Sequence, residues 1–169
     1  MPEAATLAVA CTVNGRAHQW QLAPGTTLLE ALRAAQVRGP KLVCGTGDCC
    51  ACGVILDGRS VNACCTLAGR AAGAVVLTVE GLVDAGRLHP IQAAFAETGA
   101  AQCGFCTPGF VIRAYALLQE DPDPDEAAVR AALGGNICRC TGYVKPVEAV
   151  LAAARRMRRA PLAAAKEAP

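Results

Sequence analysis

The sequence predicts an α+β protein whose strand-rich first half, up to about residue 80, precedes a helical second half. In the first half, apolar and polar residues alternate in short runs that end at turn signals such as Asn14-Gly15. In the second half, apolar residues recur at helical spacing, and prolines stand near the starts of three of these segments. Eight of the eleven cysteines fall into two groups, which indicates a metal centre in each half.

The first half begins with a predicted β-hairpin and a short helix. Residues 6–13 and 16–22 flank the two-residue turn Asn14-Gly15, so the second run can return antiparallel to the first. Residues 28–35 then carry leucine and alanine at helical spacing, with Thr26 or Thr27 as the N-cap. These patterns predict two strands crossed by one helix.

The rest of the first half is loop-like over residues 39–65 and rich in glycine and cysteine. A short apolar strand, residues 54–56, interrupts this loop, and residues 75–79 form the last predicted strand. The first domain therefore comprises residues 1–80. Residues 81–88 have little periodicity and contain turn-forming residues, so they form a predicted linker.

The second half is predicted to be a helical domain of residues 89–160, followed by an alanine-rich tail of residues 161–169. The predicted helices cover residues 90–97, 108–119, 125–133 and 146–159. Because short loops join them, they predict a small four-helix bundle.

Composition excludes several classes of protein. The formal net charge is only +2, and no basic stretch interleaves with aromatic residues, so no nucleic-acid partner is expected. No apolar run approaches the roughly 18 residues that a membrane span needs, so we expect a soluble, cytoplasmic chain without membrane insertion. In such a compartment an odd number of cysteines favours metal ligation over a disulfide framework.

The first cysteine group contains Cys44, Cys49 and Cys52 in a C-x4-C-x2-C run. Plant-type ferredoxins use this spacing for three of the four thiolates that bind a [2Fe–2S] cluster. The fourth ligand must follow later in the chain, and the spacing does not choose between the adjacent Cys64 and Cys65.

Two glycines in this loop support the same interpretation. Gly45 and Gly47 permit sharp turns and a close approach of backbone N–H groups to sulfur. The alternative is a zinc knuckle, but zinc sites typically use pairs of cysteines two to four residues apart, so this single loop fits zinc less well.

The second cysteine group combines two short motifs that each precede a predicted helix. Cys103 and Cys106 form a C-x2-C pair, and Cys138 and Cys140 form a C-x-C pair. Two loops must therefore meet to complete one site, where positive helix ends can face the thiolates. Because two such pairs also suit a four-thiolate zinc site, the spacing alone does not distinguish zinc from a second cluster.

Three motifs stand in the order and spacing of a known family. They are residues 44–52 (CGTGDCCAC), 102–109 (QCGFCTPG) and 136–143 (NICRCTGY). With these motifs the chain resembles the small subunit of the molybdenum hydroxylases, the family of xanthine dehydrogenase, aldehyde oxidoreductase and carbon monoxide dehydrogenase. The resemblance runs from about residue 5 to residue 155.

The resemblance implies a β-grasp plant-type [2Fe–2S] ferredoxin domain followed by a four-helix bundle that holds a second [2Fe–2S] cluster. In this family the fourth ligand of the first cluster follows the third after eleven residues, which selects Cys64 and leaves Cys65 as a spare thiol. The implied ligands are Cys44, Cys49, Cys52 and Cys64 for the first cluster, and Cys103, Cys106, Cys138 and Cys140 for the second.

The resemblance also implies an electron-transfer subunit of a molybdenum-containing hydroxylase or dehydrogenase, with no substrate-binding active site on this chain. Electrons would pass from a molybdopterin cofactor in a large subunit, through both clusters, to an FAD subunit or an external acceptor. Gln102 matches the glutamine that hydrogen-bonds the pterin, and Cys140 matches the ligand nearest to it. The complete assembly would be a dimer of heterotrimers.

Three positions depart from the family pattern. Val43 and Cys50 stand where glycine is usual, and Gly53 stands where threonine is usual. Cys50 is thus an extra thiol beside a ligand, and Cys11, far from both groups, is interpreted as a small buried residue. A zinc-stabilised adaptor or assembly protein without electron transfer is the alternative function. A free-standing ferredoxin is less favoured, because it could end near residue 80.

Overall fold

The computed structural model describes residues 5–159 of the chain. The tail predicted for residues 161–169 lies outside that range. Among the described residues, no helix has both the length and the apolar character that crossing a membrane requires.

A five-stranded sheet occupies the first half of the described chain. Its strands are β1 (Leu7–Val13), β2 (Arg16–Leu22), β3 (Gly53–Leu56), β4 (Arg59–Asn62) and β5 (Val75–Leu77). They lie in the order β2-β1-β5-β3-β4, with β5 parallel to β1 and the other neighbours antiparallel. Val13 lies opposite Arg16, so the hairpin predicted around Asn14-Gly15 is confirmed.

Strand β4 has no counterpart among the predicted strands. Its four residues are mostly polar, and it pairs only with β3 at the edge of the sheet. The two residues between β3 and β4, Asp57 and Gly58, both have positive φ (45° and 80°), as a tight hairpin turn requires. The Asp57-Gly58 turn was therefore the sequence signal for this strand.

Helix α1 (Leu28–Ala34) packs its leucines into the core of the first half. The Thr27 hydroxyl accepts a hydrogen bond from the Glu30 N–H (3.2 Å), and the Glu30 carboxylate accepts one from the Thr27 N–H (2.7 Å). This reciprocal capping confirms Thr27, one of the two predicted N-caps, and fixes the start of the helix.

Four helices form the second half of the described chain: α2 (Pro90–Glu97), α3 (Thr107–Glu120), α4 (Glu126–Leu133) and α5 (Val144–Arg159). The bounds of α2 match the prediction, α3 is one residue longer at each end, α4 begins one residue later, and α5 begins two residues earlier. Helix α2 packs on α5, α3 on α4, and α4 on α5. Their shared core includes Phe110, Val129 and Val150, all fully buried.

The two halves meet where α3 packs against β3. Ile55 of β3 is buried in the same apolar core as Phe110 and Ile112 of α3. A 3₁₀ turn, Val79–Leu82, also enters this core through Leu82, so the segment predicted as a linker, residues 81–88, begins within packed structure. The helical half thus rests on the strand that follows the first cysteine loop.

Candidate metal centres

The first cysteine set lies in two loops that meet beside the β3–β4 hairpin. Cys44, Cys49 and Cys52 belong to the loop before β3, whereas Cys64 follows β4. Because β4 pairs antiparallel with β3, it returns Cys64 to the start of β3, where the Cys64 N–H donates a hydrogen bond to the Cys52 Sγ (3.5 Å). Cys49 interacts with both Cys44 and Cys52, so all four predicted thiols are neighbours.

The loop between Cys44 and Cys49 directs a backbone donor at sulfur. Gly45 and Gly47 have φ values of +71° and +89°, which glycine adopts without steric cost. This path allows the Thr46 N–H to donate a hydrogen bond to the Cys44 Sγ (3.5 Å). Such bonds stabilise a thiolate and tune a bound metal centre.

The thiols of the first set differ in acidity. Hydrogen bonds from Thr46, led by its N–H, and from Cys49 lower the pKa of Cys44 to about 5, because they stabilise the thiolate. Burial raises the pKa of Cys52 to about 12. Cys44 is therefore available as a thiolate, the form that binds metal, whereas metal binding at Cys52 must displace a proton.

The second cysteine set forms where the turn before α3 meets the turn before α5. Cys103 and Cys106 come from the first turn, and Cys138 and Cys140 from the second. The Cys103 Sγ lies 3.6 Å from the Cys140 Sγ, and the Cys106 thiol pairs with that of Cys138. The four thiols therefore face one another as two pairs, with the Cys103 and Cys140 pair exposed and the other pair more buried.

Thr141 and Tyr143 hold Cys138 in place. The Thr141 hydroxyl and N–H both donate to the Cys138 Sγ (3.2 and 3.5 Å), and the Cys138 N–H donates to the Tyr143 hydroxyl (2.9 Å). Burial raises the pKa of Cys138, but the hydrogen bonds from Thr141, together with those from Cys140 and Cys106, outweigh it and lower the value to about 7. Burial raises the pKa of Cys106, its pair, to about 12.

Both sets fit [2Fe–2S] ligation by the chemistry of their donors. Each offers four thiols with N–H groups directed at sulfur, and the facing pairs of the second set suit a centre with two thiolates on each iron. Among residues 5–159, no three or more Cys, His, Asp or Glu side chains are arranged to hold a single metal ion.

A backbone hydrogen bond joins the two sets directly. The Ile137 N–H donates to the Cys49 carbonyl oxygen (3.2 Å), and Ile137 precedes Cys138 in the chain. Cys49 and Cys138 also line the same crevice, which has a volume of about 170 Å³. This contact was not predicted, because no sequence pattern relates two loops that are almost ninety residues apart.

An apolar rim surrounds the exposed thiols of the second set. We use this name for Val43, Phe105 and Ile137, which are exposed by 54%, 53% and 56%. Val43, Phe105 and Ile137 line the crevice that contains Cys103 and Cys140, and the Gln102 side chain beside them is exposed. Exposed apolar side chains grouped around a polar centre are typical of a surface that another protein covers.

The three remaining thiols have different surroundings. Cys11 is buried in β1, as predicted, and burial raises its pKa. Cys50 adopts a left-handed backbone (φ +54°), which is costly for a residue other than glycine. The Cys65 side chain is exposed, and its Sγ lies 3.6 Å from the Cys64 Sγ.

The chain is similar to a family model described as a [2Fe-2S] binding domain, which matches residues 78–151. It is 42% identical over 145 residues to the nicotinate dehydrogenase small FeS subunit of Eubacterium barkeri, covering 85% of this chain and 92% of that one. It is 40% identical over 153 residues to the xanthine dehydrogenase iron-sulfur-binding subunit of Escherichia coli O157:H7, covering 89% and 96%.

Solved structures of similar proteins also match this chain. The fold matches a chain of quinoline 2-oxidoreductase from Pseudomonas putida 86 with a TM-score of 0.87 and 37% identity, over 92% of this chain and 98% of that one. It matches aldehyde oxidoreductase from Desulfovibrio desulfuricans with a TM-score of 0.86 and 45% identity, over 90% of this chain but only 17% of that longer chain.

Proposed function

The chain belongs to the family of small iron–sulfur subunits of molybdenum hydroxylases, as its motifs predict, and we propose that it relays electrons through two [2Fe–2S] clusters. It serves as the electron-transfer subunit of an oxidoreductase complex. The reaction with substrate takes place on another chain, and this chain binds, orients and tunes the centres that carry the electrons.

In this proposal each half of the chain holds one cluster. The first half is a β-grasp plant-type ferredoxin domain that binds a cluster through Cys44, Cys49, Cys52 and Cys64. The second half is a four-helix bundle that binds a cluster through Cys103, Cys106, Cys138 and Cys140. The facing thiols support a pairing in which Cys103 and Cys140 share one iron, and Cys106 and Cys138 share the other.

The hydrogen bond between Ile137 and Cys49 is the observation that best supports the proposed relay. A bound [2Fe–2S] cluster accepts and releases one electron at a time. Ile137 directly precedes Cys138 of the second set, and its N–H donates to the carbonyl oxygen of Cys49 in the first set. A structural zinc protein needs no such contact between its two sites, whereas electron transfer between centres requires them to be close.

The exposed face of the second set is the docking surface for a large molybdopterin-binding subunit. Cys103 and Cys140 are exposed at this face, so a partner that covers the apolar rim places its cofactor next to their sulfur atoms. The exposed Gln102 amide would supply a donor and an acceptor for the pterin, and the family resemblance implies that Cys140 would be the ligand nearest to it.

The first set is the second station of the proposed relay. Cys44 lies in an exposed loop with Gly45 and Thr46, from which electrons leave to an FAD subunit or an external acceptor. The dimer of heterotrimers and the cytoplasmic location belong to the same proposal, supported by the family alone.

Replacing Phe105 by glutamate tests the docking surface. The Phe105 ring is 53% exposed, so the change leaves the helical core intact and both clusters in place. It puts a charge into the apolar rim that the large subunit must desolvate, and we expect at least a tenfold loss of affinity, about 1.4 kcal/mol. Recovery of the molybdopterin-binding chain with tagged Phe105→Glu protein, purified from the native host, measures this loss.

Leu88→Glu is the matched control, because Leu88 is equally exposed (56%) but is not part of the rim. It should recover the molybdopterin-binding chain like the native protein. Equal recovery with Phe105→Glu and Leu88→Glu would contradict the assignment of this surface.

A further inference from the structure

The sequence contains two pairs of adjacent cysteines, and the structure orients them differently. In the first pair, Cys49 lines the crevice of the second set, whereas Cys50 lines another crevice between the two halves, with its Sγ against Gly135. The thiols of that pair diverge because Cys50 has a left-handed backbone. In the second pair, the Cys64 and Cys65 thiols converge, with their Sγ atoms 3.6 Å apart.

Cys65 lies against the loop of the first set. A Cβ added to Gly47 would lie 3.0 Å from the Cys65 Sγ, so the loop passes close over this thiol. The Asn62 side-chain amide donates to the Gly47 carbonyl oxygen (2.6 Å) and holds the loop there. Cys44, a proposed ligand at the start of the loop, is close enough to interact electrostatically with Cys65.

From this geometry we infer that Cys65 is an alternative fourth ligand of the first cluster, able to take the place of Cys64. The inference rests on the proposed function, because it requires a cluster in the first set. If Cys65 replaced Cys64 with both thiols present, the iron–sulfur bond to Cys64 would break, the bond to Cys65 would form, and the proton of the Cys65 thiol would pass to Cys64. No electron is gained or lost, so no oxidant or reductant is needed.

Burial makes Cys64 the ligand in the native chain. Cys64 is only 9% exposed, and its N–H bonds to the Cys52 Sγ, whereas Cys65 is exposed. Ligation by Cys65 would bring the cluster closer to solvent, which changes its potential and its EPR signal. Cys65 therefore acts as a ligand when Cys64 is lost, and the cluster then differs spectroscopically from the native one.

Alanine variants of the two cysteine pairs test this inference, because alanine cannot bind iron. Iron and acid-labile sulfide per chain and the EPR spectrum of the reduced protein are measured after anaerobic reconstitution. We expect two clusters in Cys64→Ala and in Cys65→Ala, with a shifted first-cluster signal only in Cys64→Ala. The double variant should keep only the second cluster. Cys49→Ala is the matched control and should also keep only the second, because its neighbour Cys50 points away.

Alkylation by iodoacetamide gives an independent measurement. In the native holoprotein Cys65 should be labelled and Cys64 protected, whereas in Cys64→Ala the ligating Cys65 should become protected. The inference would be overturned if Cys64→Ala lost the first cluster, or if it lost both clusters while Cys49→Ala kept the second. It would also be overturned if Cys65 were labelled in Cys64→Ala as it is in the native protein. A native chain that binds no cluster would instead refute the proposed function.

Discussion

Replacing Gly109 by alanine will destabilise the chain and disturb both cysteine sets, although Gly109 is not a ligand. A Cβ at this position would lie 2.2 Å from the Cys50 carbonyl oxygen and 3.0 Å from the Ala51 Cα. Both are backbone atoms, so no rotamer change can relieve the overlap. Cys50 and Ala51 lie between two cysteines of the first set, and Gly109 follows Cys106 of the second by three residues.

Two opposing effects decide the size of this change. Helix propensity favours alanine over glycine by about 1 kcal/mol inside a helix. Overpacking against a fixed backbone costs about 3 kcal/mol, the upper end of the usual range. The steric cost prevails, so we expect a net loss of roughly 2 kcal/mol in the free energy of unfolding. Denaturant unfolding of the purified protein measures it.

Gly69→Ala provides the comparison. Its added Cβ would lie 3.0 Å from the Leu7 Cδ2, which is the end of a flexible, 44% exposed side chain that can move aside. The Gly69 variant should therefore unfold close to the native midpoint. If Gly109→Ala were as stable as Gly69→Ala, the close packing of α3 on the first cysteine loop would be wrong.

Replacing Cys138 by alanine will remove the second cluster and interrupt the relay. Cys138 is 9% exposed, pairs with Cys106, and receives two hydrogen bonds from Thr141 that stabilise its thiolate. Without this thiol one iron loses a ligand in a site that offers no adjacent cysteine. We expect about half of the native visible absorption, one EPR signal instead of two, and no reduction of the acceptor by substrate in the assembled complex.

Cys11→Ala is the control for this variant, because Cys11 is equally buried (7%) but belongs to neither set. It should retain both EPR signals. Retention of two native signals by Cys138→Ala would mean that the second set is assigned wrongly.

Local features of the fold were predictable from the sequence. The Asn14-Gly15 hairpin, the Thr27 cap and the bounds of α2 depend on residues within a few positions of each other, and the structure confirms them. The motif spacing also predicted which cysteines of one loop act together, because ligand spacing within a loop is a local property, but it did not choose between Cys64 and Cys65. That cysteines from separate loops share one cluster was then implied by the family resemblance.

Features that depend on distant residues were not predictable. Spacing does not reveal that Cys50 points away from its neighbour, because this follows from a positive φ and from the contact of α3 with the loop. Strand β4 is too short and polar to give a periodic signal, and apart from the Asp57-Gly58 turn only its pairing with β3 defines it. The contact between Ile137 and Cys49 likewise joins two loops from different halves of the chain, which no local pattern relates.

EPR spectroscopy of the reduced native chain, combined with metal analysis, tests the central claim most directly. Two [2Fe–2S] clusters require about four iron and four sulfide ions per chain, and the reduced protein should give two distinct signals of about one spin each. The signals should interact magnetically, because the two ligand sets are joined by one hydrogen bond. A colourless protein with about two zinc ions per chain and no EPR signal would contradict the proposed electron relay.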